Sequence, residues 1–189
     1  MREYEKQDKV EPPRKGAILF LGGAQFKDWE PIGQDFPPSL TIIGRGFPGW
    51  SMEDAIRFVE RTSIVYQPRV IVLQAGRADL GRGRTPEDVV MLFQQYVAAV
   101  RAKLPRTRIL FLSLMPTFQA PQKRAPSLRV NQLISEYVPT AENLGFIDVW
   151  SSMSLPNGDT RTELFLTDSY KLTREGVLLR AKVILSHLQ

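Results

Sequence analysis

Five short apolar runs alternate with segments of helical period along this chain, and that alternation sets the expected fold. Ala17-Ile18-Leu19-Phe20-Leu21 predicts a first strand over Gly16 to Leu21, and Leu40, Ile42 and Ile43 predict a second over Ser39 to Gly44. Val70 to Leu73 is apolar throughout, as a strand buried on both faces should be. Ile109 to Leu114 and Phe146 to Val149 supply the fourth and fifth strands. A helix starts at Ser51, with Glu53 and Asp54 in its first turn and Ile56, Val59 and Ile64 on one face. Thr85-Pro86-Glu87-Asp88 combines a cap, a proline at the first helical position and two acids. Behind it Val89, Leu92, Phe93, Tyr96, Val97 and Val100 keep helical spacing up to Leu104. A third helix is expected from about Ser127 to Leu144, kinked or broken by Pro139, and a last one from Thr173 to Leu188.

Strands alternating with helices imply an α/β fold with a parallel sheet. The expected architecture is a three-layer α/β/α sandwich whose five-stranded parallel sheet has the flavodoxin-like order 2-1-3-4-5. The length of 189 residues suits one such domain, over 16–189. Residues 1–15, charged and carrying Pro12-Pro13, read as a flexible N-terminal segment. Residues 26–38, with Trp29 and three prolines, read as mostly irregular.

Composition narrows the chemistry. The chain has no cysteine, which excludes disulfides, zinc-thiolate sites and cysteine nucleophiles. Its single histidine, His187, reads as a surface residue, so no metal site is expected and no cofactor is implied. The net charge of +5 favours anionic partners. Met1 to Lys15 lacks the apolar stretch of a signal peptide, and no run approaches the ~20 apolar residues that span a bilayer. A cytoplasmic protein without a membrane partner is expected.

In such sheets the binding crevice lies beyond the carboxyl ends of the strands. Those ends read Gly22-Gly23-Ala24, then Arg45-Gly46-Phe47-Pro48-Gly49-Trp50, Gly76-Arg77-Ala78-Asp79-Leu80 and Leu114-Met115-Pro116. Late in the chain comes Asp168-Ser169-Tyr170-Lys171-Leu172. In order and spacing this series resembles the SGNH (GDSL) hydrolase family, and within it the acetylhydrolases related to platelet-activating-factor acetylhydrolase. Arg129-Val130-Asn131-Gln132-Leu133 on the penultimate helix adds to the likeness.

The resemblance implies an acyl-ester hydrolase fold and assigns a role to each block. Gly-Asp-Ser, with the nucleophile, falls on Gly22-Gly23-Ala24. The glycine amide of the oxyanion hole falls on Gly49, and the asparagine that completes it on Ala78. The orienting aspartate and the histidine base fall on Asp168 and Lys171. Serine, asparagine and histidine are thus replaced. Without the hydroxyl there is no acyl-enzyme, and without imidazole no base matched to neutral pH. Losing one side-chain oxyanion donor typically costs ~100- to 1,000-fold in turnover. Activity as a serine esterase is therefore expected to be lost, whether by evolution or by design.

Small residues at Gly23, Ala24 and Ala78 enlarge the crevice, and Lys171 is expected to add a cation to it. Arg45, Arg77, Arg82 and Arg84 lie on or just after the strand ends that should form the same mouth. With Gly49, Trp50 and Asp168 they suggest a site for a small-molecule ligand, anionic or acylated. The plainer arrangement has the arginines in solvent and Lys171 paired with Asp168. Two alternatives stand beside it. One is weak esterase or Schiff-base activity at Lys171 in a pocket lined by Trp29, Trp50 or Tyr170, which a neighbouring Asp168 opposes. The other is a nucleic-acid or protein interaction module using Lys123, Arg124 and Arg129, or Arg101, Lys103, Arg106 and Arg108. No RNA-recognition motif supports it, and nucleic acid is the less favoured partner. Trp150 reads as packing. A dimer is compatible with the family, although no exposed apolar stripe marks an interface.

Overall fold

Alternating side chains along each apolar run face opposite ways, so each strand feeds two cores at once. The computed structural model describes residues 1–116, 122, 124–167 and 169–188. Its strands are β1 (Ile18–Gly22), β2 (Ile42–Gly46), β3 (Val70–Gln74), β4 (Arg108–Leu112) and β5 (Leu144–Ile147). They form one parallel sheet in the order β2-β1-β3-β4-β5, with Ile18 beside both Ile42 and Val70. The fold is the expected α/β one.

The helices are α1 (Arg2–Val10), α2 (Ala24–Lys27), α3 (Met52–Arg57), α4 (Val59–Thr62), α5 (Arg77–Gly81), α6 (Pro86–Arg101), α7 (Arg124–Tyr137) and α8 (Arg174–Leu185). On one face of the sheet Leu19, Leu21, Ile71, Leu73, Ile109 and Phe111 pack with α3, α6 and α7. On the other, Ile18, Phe20, Val72, Leu110 and Leu112 pack with Phe26, Trp29 and the apolar positions of α8. α6 begins as its sequence demands: the Asp88 amide donates to Thr85 Oγ1 (3.1 Å), and the Thr85 amide donates to the Asp88 carboxylate (2.9 Å). Ser51 and Asp54 repeat the device on α3.

Several expectations need correction. The segment read as a flexible lead-in over 1–15 is helical from Arg2 to Val10. Its anchors are far away in sequence. Buried Tyr4 donates to the Glu30 carboxylate, and Asp8 accepts from Tyr66 (2.7 Å) and from Arg45. Arg45, expected at the mouth of the crevice, is the hub of this cluster. Its guanidinium lies over the rings of Tyr4 (4.7 Å) and Tyr66 (4.8 Å), and its Nε donates to the Tyr66 hydroxyl (2.8 Å). β2 runs on to Gly46, and β5 starts at Leu144, where a helix was expected. Pro139 explains the second shift: α7 stops at Tyr137, and a single 3-10 turn over Val138–Thr140 leads into the strand.

Candidate functional site

Beyond the carboxyl ends of β1 to β4 lies a crevice of about 410 Å³. Its walls come from Gly23, Ala24 and Gln25, from Pro48, Gly49 and Trp50, from Gln74, Ala75, Arg77, Ala78 and Gly81, and from Leu114, Met115 and Tyr170. Gly23, Ala24, Gly49, Trp50, Arg77 and Ala78, singled out from the sequence, therefore meet in one place.

Close backbone contacts hold these walls together. A Cβ at Gly46 would lie 2.1 Å from the Lys27 nitrogen, so only glycine lets α2 sit against the end of β2. The Phe47 amide then donates to the Gly22 carbonyl (2.9 Å), joining the first two walls. Gly76 turns the chain at φ +122°, where a side chain would also strike Val89. Asp79 is buried and accepts from the Met52 amide (2.8 Å) and the Glu53 amide (3.5 Å), so it ties α5 to the start of α3. Burial pushes its carboxyl pKa up, and the backbone bonds oppose that shift. Asn131 on α7 grips Leu114 by both backbone groups, accepting from its amide (2.8 Å) and donating to its carbonyl (2.9 Å).

The surface so formed is largely apolar with a few polar groups. Ala24 begins α2 and offers only a methyl group and a backbone amide. Among the described residues, the amides of Ala24 and Gly49 donate to no protein group. Trp50 stacks on Phe47 at 4.5 Å, and its buried indole nitrogen finds no acceptor among the described residues. Arg77 donates to the Met115 carbonyl and meets no carboxylate among the described residues. Burial pulls its pKa below the usual arginine value.

The other cations are placed differently. Arg82 donates to the Gly49 carbonyl (3.2 Å) and lies 3.6 Å from Asp54, while Arg84 pairs with Glu53. Lys171 is absent from the crevice lining. It lines a smaller neighbouring pocket of about 150 Å³ with Gln25, Asp28, Trp29, Tyr170 and Arg180, and its Nζ lies 3.1 Å from Asp28 Oδ1. Asp168 and Lys123 lie outside the described residues. Arg124 donates to Thr160 (2.8 Å) and covers the Trp150 ring, and Arg129 lies 3.5 Å from Glu87. Sequence reading missed Arg180, which is 1% exposed. The signal was present, since Arg180 shares a helical face with Val177, Ala181 and Ile184.

Among the described residues no group of three acidic, histidine or cysteine side chains is placed to hold a metal, and no helix is long and apolar enough to cross a membrane.

A parallel sheet with a crevice at this edge, walled by a glycine turn after β1 and a Gly-x-x-Asp block after β3, defines a GDSL-type acylhydrolase fold. The sequence model of the GDSL-like Lipase/Acylhydrolase family matches residues 21–177, and the chain belongs to that family. No curated protein sequence matches it. Solved structures show the same fold at low identity. A protein from Streptococcus pneumonia, proposed to be a platelet activating factor, superposes with a TM-score of 0.84 at 20% identity, over 100% of this chain and 90% of that one. A GDSL-like lipase from Bacteroides thetaiotaomicron gives 0.79 at 16% identity, over 99% and 96%. An acetyl esterase carrying a serine-to-alanine mutation, with an acetate ion, gives 0.66 at 19% identity, over 91% and 95%.

Proposed function

We propose that this chain is a non-hydrolytic member of its family that binds a small carboxylate or acylated anion in the crevice. The observation that carries the reading is Arg77, a largely enclosed guanidinium on the crevice wall whose only described partner is a backbone carbonyl. A cation with spare donors in a partly desolvated site attracts an anion more strongly than one in open water. The amides of Ala24 and Gly49 point to the same chemistry, because two unspent N–H groups suit a carboxylate oxygen as well as they suit an oxyanion. Apolar lining from Ala24, Ala78, Leu114 and Met115 suits a short acyl chain beside it. The acetate ion with the serine-to-alanine acetyl esterase mutant is in keeping with this reading.

Among the described residues that line the crevice there is no serine, threonine, cysteine or histidine. Lys171 is the candidate for amine chemistry, but it lies in the neighbouring pocket, half exposed and paired with Asp28. A Schiff-base mechanism needs an unpaired amine facing the substrate. Calorimetric titration with acetate and butyrate, beside p-nitrophenyl acetate turnover and fluorophosphonate labelling, tests the proposal. Saturable binding without turnover or labelling is expected. Arg77→Gln removes a charge-assisted bond of about 1.5–3 kcal/mol and should weaken binding about 10- to 100-fold. Stoichiometric labelling by the fluorophosphonate would overturn the reading.

A further inference from the structure

Arg180 is the largest fully buried side chain among the described residues, and nothing in the crevice uses it. It rises from α8 into an aromatic enclosure, with its guanidinium 4.1 Å from the centre of the Trp29 ring and 5.8 Å from that of Phe26. Among the described residues its hydrogen bonds go to neutral oxygens: Gln25 Oε1 at 3.2 Å and the Gln25 carbonyl at 3.4 Å. Its Nε has no acceptor among the described residues. The acid whose charge it feels, Asp35, is already bonded to Arg174 (2.8 Å) and to the Trp29 indole (2.7 Å). Burial pulls the Arg180 pKa down to about 9. A buried ion without a bonded counterion is strongly destabilised unless something compensates it.

The compensation has a place. Arg180 lines the pocket of about 150 Å³ beside the crevice, where Lys171 stands at the rim. Among the described residues the ionisable lining consists of Arg180, Lys171, Asp28 and Tyr170, so two cations face one carboxylate there. Gln25 and Tyr170 line this pocket and the crevice alike, and the Gln25 amide donates to the Tyr170 carbonyl (3.4 Å) as part of the wall between them.

We propose that this second pocket is an anion site distinct from the crevice, taking a phosphate- or sulfate-sized oxyanion, free or at the end of a monoester. Arg180 supplies the buried charge, and Lys171 the charge at the rim. The inference does not depend on what the crevice binds.

Titration of the full chain with inorganic phosphate at constant ionic strength, against chloride, tests it. Phosphate should bind saturably and raise the melting temperature beyond the chloride control. Lys171→Gln changes a half-exposed side chain and should fold, with phosphate affinity reduced about tenfold or more. Arg180→Met should abolish binding. If that variant does not fold, the Lys171→Gln result stands alone as the test. Arg77→Gln should weaken acetate and leave phosphate unchanged, which separates failure here from failure of the crevice reading. Glycerol phosphate compared with inorganic phosphate distinguishes a monoester from a free anion. No phosphate effect beyond chloride, full affinity in Lys171→Gln, or loss of phosphate in Arg77→Gln would each overturn the proposal.

Discussion

Lys171 pairs with Asp28, its ammonium nitrogen 3.1 Å from the carboxylate, in a pocket beside the crevice and not within it. The position that the family resemblance assigns to the base therefore carries a cation that is paired with Asp28. Among the described residues, Arg77 is the cation on the crevice wall itself.

If the block assignments are right, catalysis should return only when the parts are restored together. Ala24→Ser alone should stay near background with p-nitrophenyl acetate, because a hydroxyl without a base is a poor nucleophile. The triple variant Ala24→Ser, Ala78→Asn, Lys171→His should give measurable turnover. Leaving Ala78 in place should hold the rate ~100- to 1,000-fold lower. A triple variant that stays at background would count against the assignments.

Asn131 should matter to the wall far more than to its own helix. Its amide satisfies both backbone groups of buried Leu114, and replacing it with alanine leaves a buried donor and acceptor unpaired. The expected loss is about 2–4 kcal/mol in urea denaturation. A loss below ~0.5 kcal/mol would show that the grip contributes little.

Two glycines should respond very differently to alanine. At Gly46 a Cβ would meet the backbone of α2 at 2.1 Å, whereas at Gly33 nothing lies within 4 Å. Gly46→Ala should destabilise by more than about 2 kcal/mol or prevent folding, and Gly33→Ala should stay within about 1 kcal/mol of wild type. Thermal melts of the two variants check this directly.

Acid should weaken the protein partly through Asp35. A hydrogen bond from Arg174, aided by one from Trp29, holds its pKa below the usual carboxylate value, although burial opposes the shift. The stabilisation is therefore present above the ordinary aspartate pKa and lost as pH falls through the lower folded-state value. Arg174→Gln should lose stability at pH 7 by chemical denaturation, and its deficit relative to wild type should shrink toward pH 2. A deficit that stays constant across that range would exclude the linkage.

The sheet was legible because each strand is an apolar run broken by a turn, and the Thr85 cap announced α6 without ambiguity. α1 was not. It is a charged helix with Tyr4 as its one buried residue, and it is fixed by Glu30, Arg45 and Tyr66, which no local pattern connects to it. Backbone placement of Gly23, Ala24, Gly49, Trp50, Arg77 and Ala78 around one crevice followed from strand ends alone. Side-chain direction did not. Proximity in sequence puts Arg45 and Lys171 at the mouth, but aromatic rings and a carboxylate respectively draw them elsewhere. Arg180 is legible only from its place on the apolar face of Val177, Ala181 and Ile184, and the rings that enclose it come from a distant segment.

The crevice is proposed to hold a small carboxylate or acylated anion through Arg77. Titrating acetate into the wild type and into Arg77→Gln at matched ionic strength measures this most directly. The account predicts saturable binding in the wild type and affinity at least about tenfold weaker in the variant. Absence of binding in the wild type, or equal affinity in the two proteins, would contradict it.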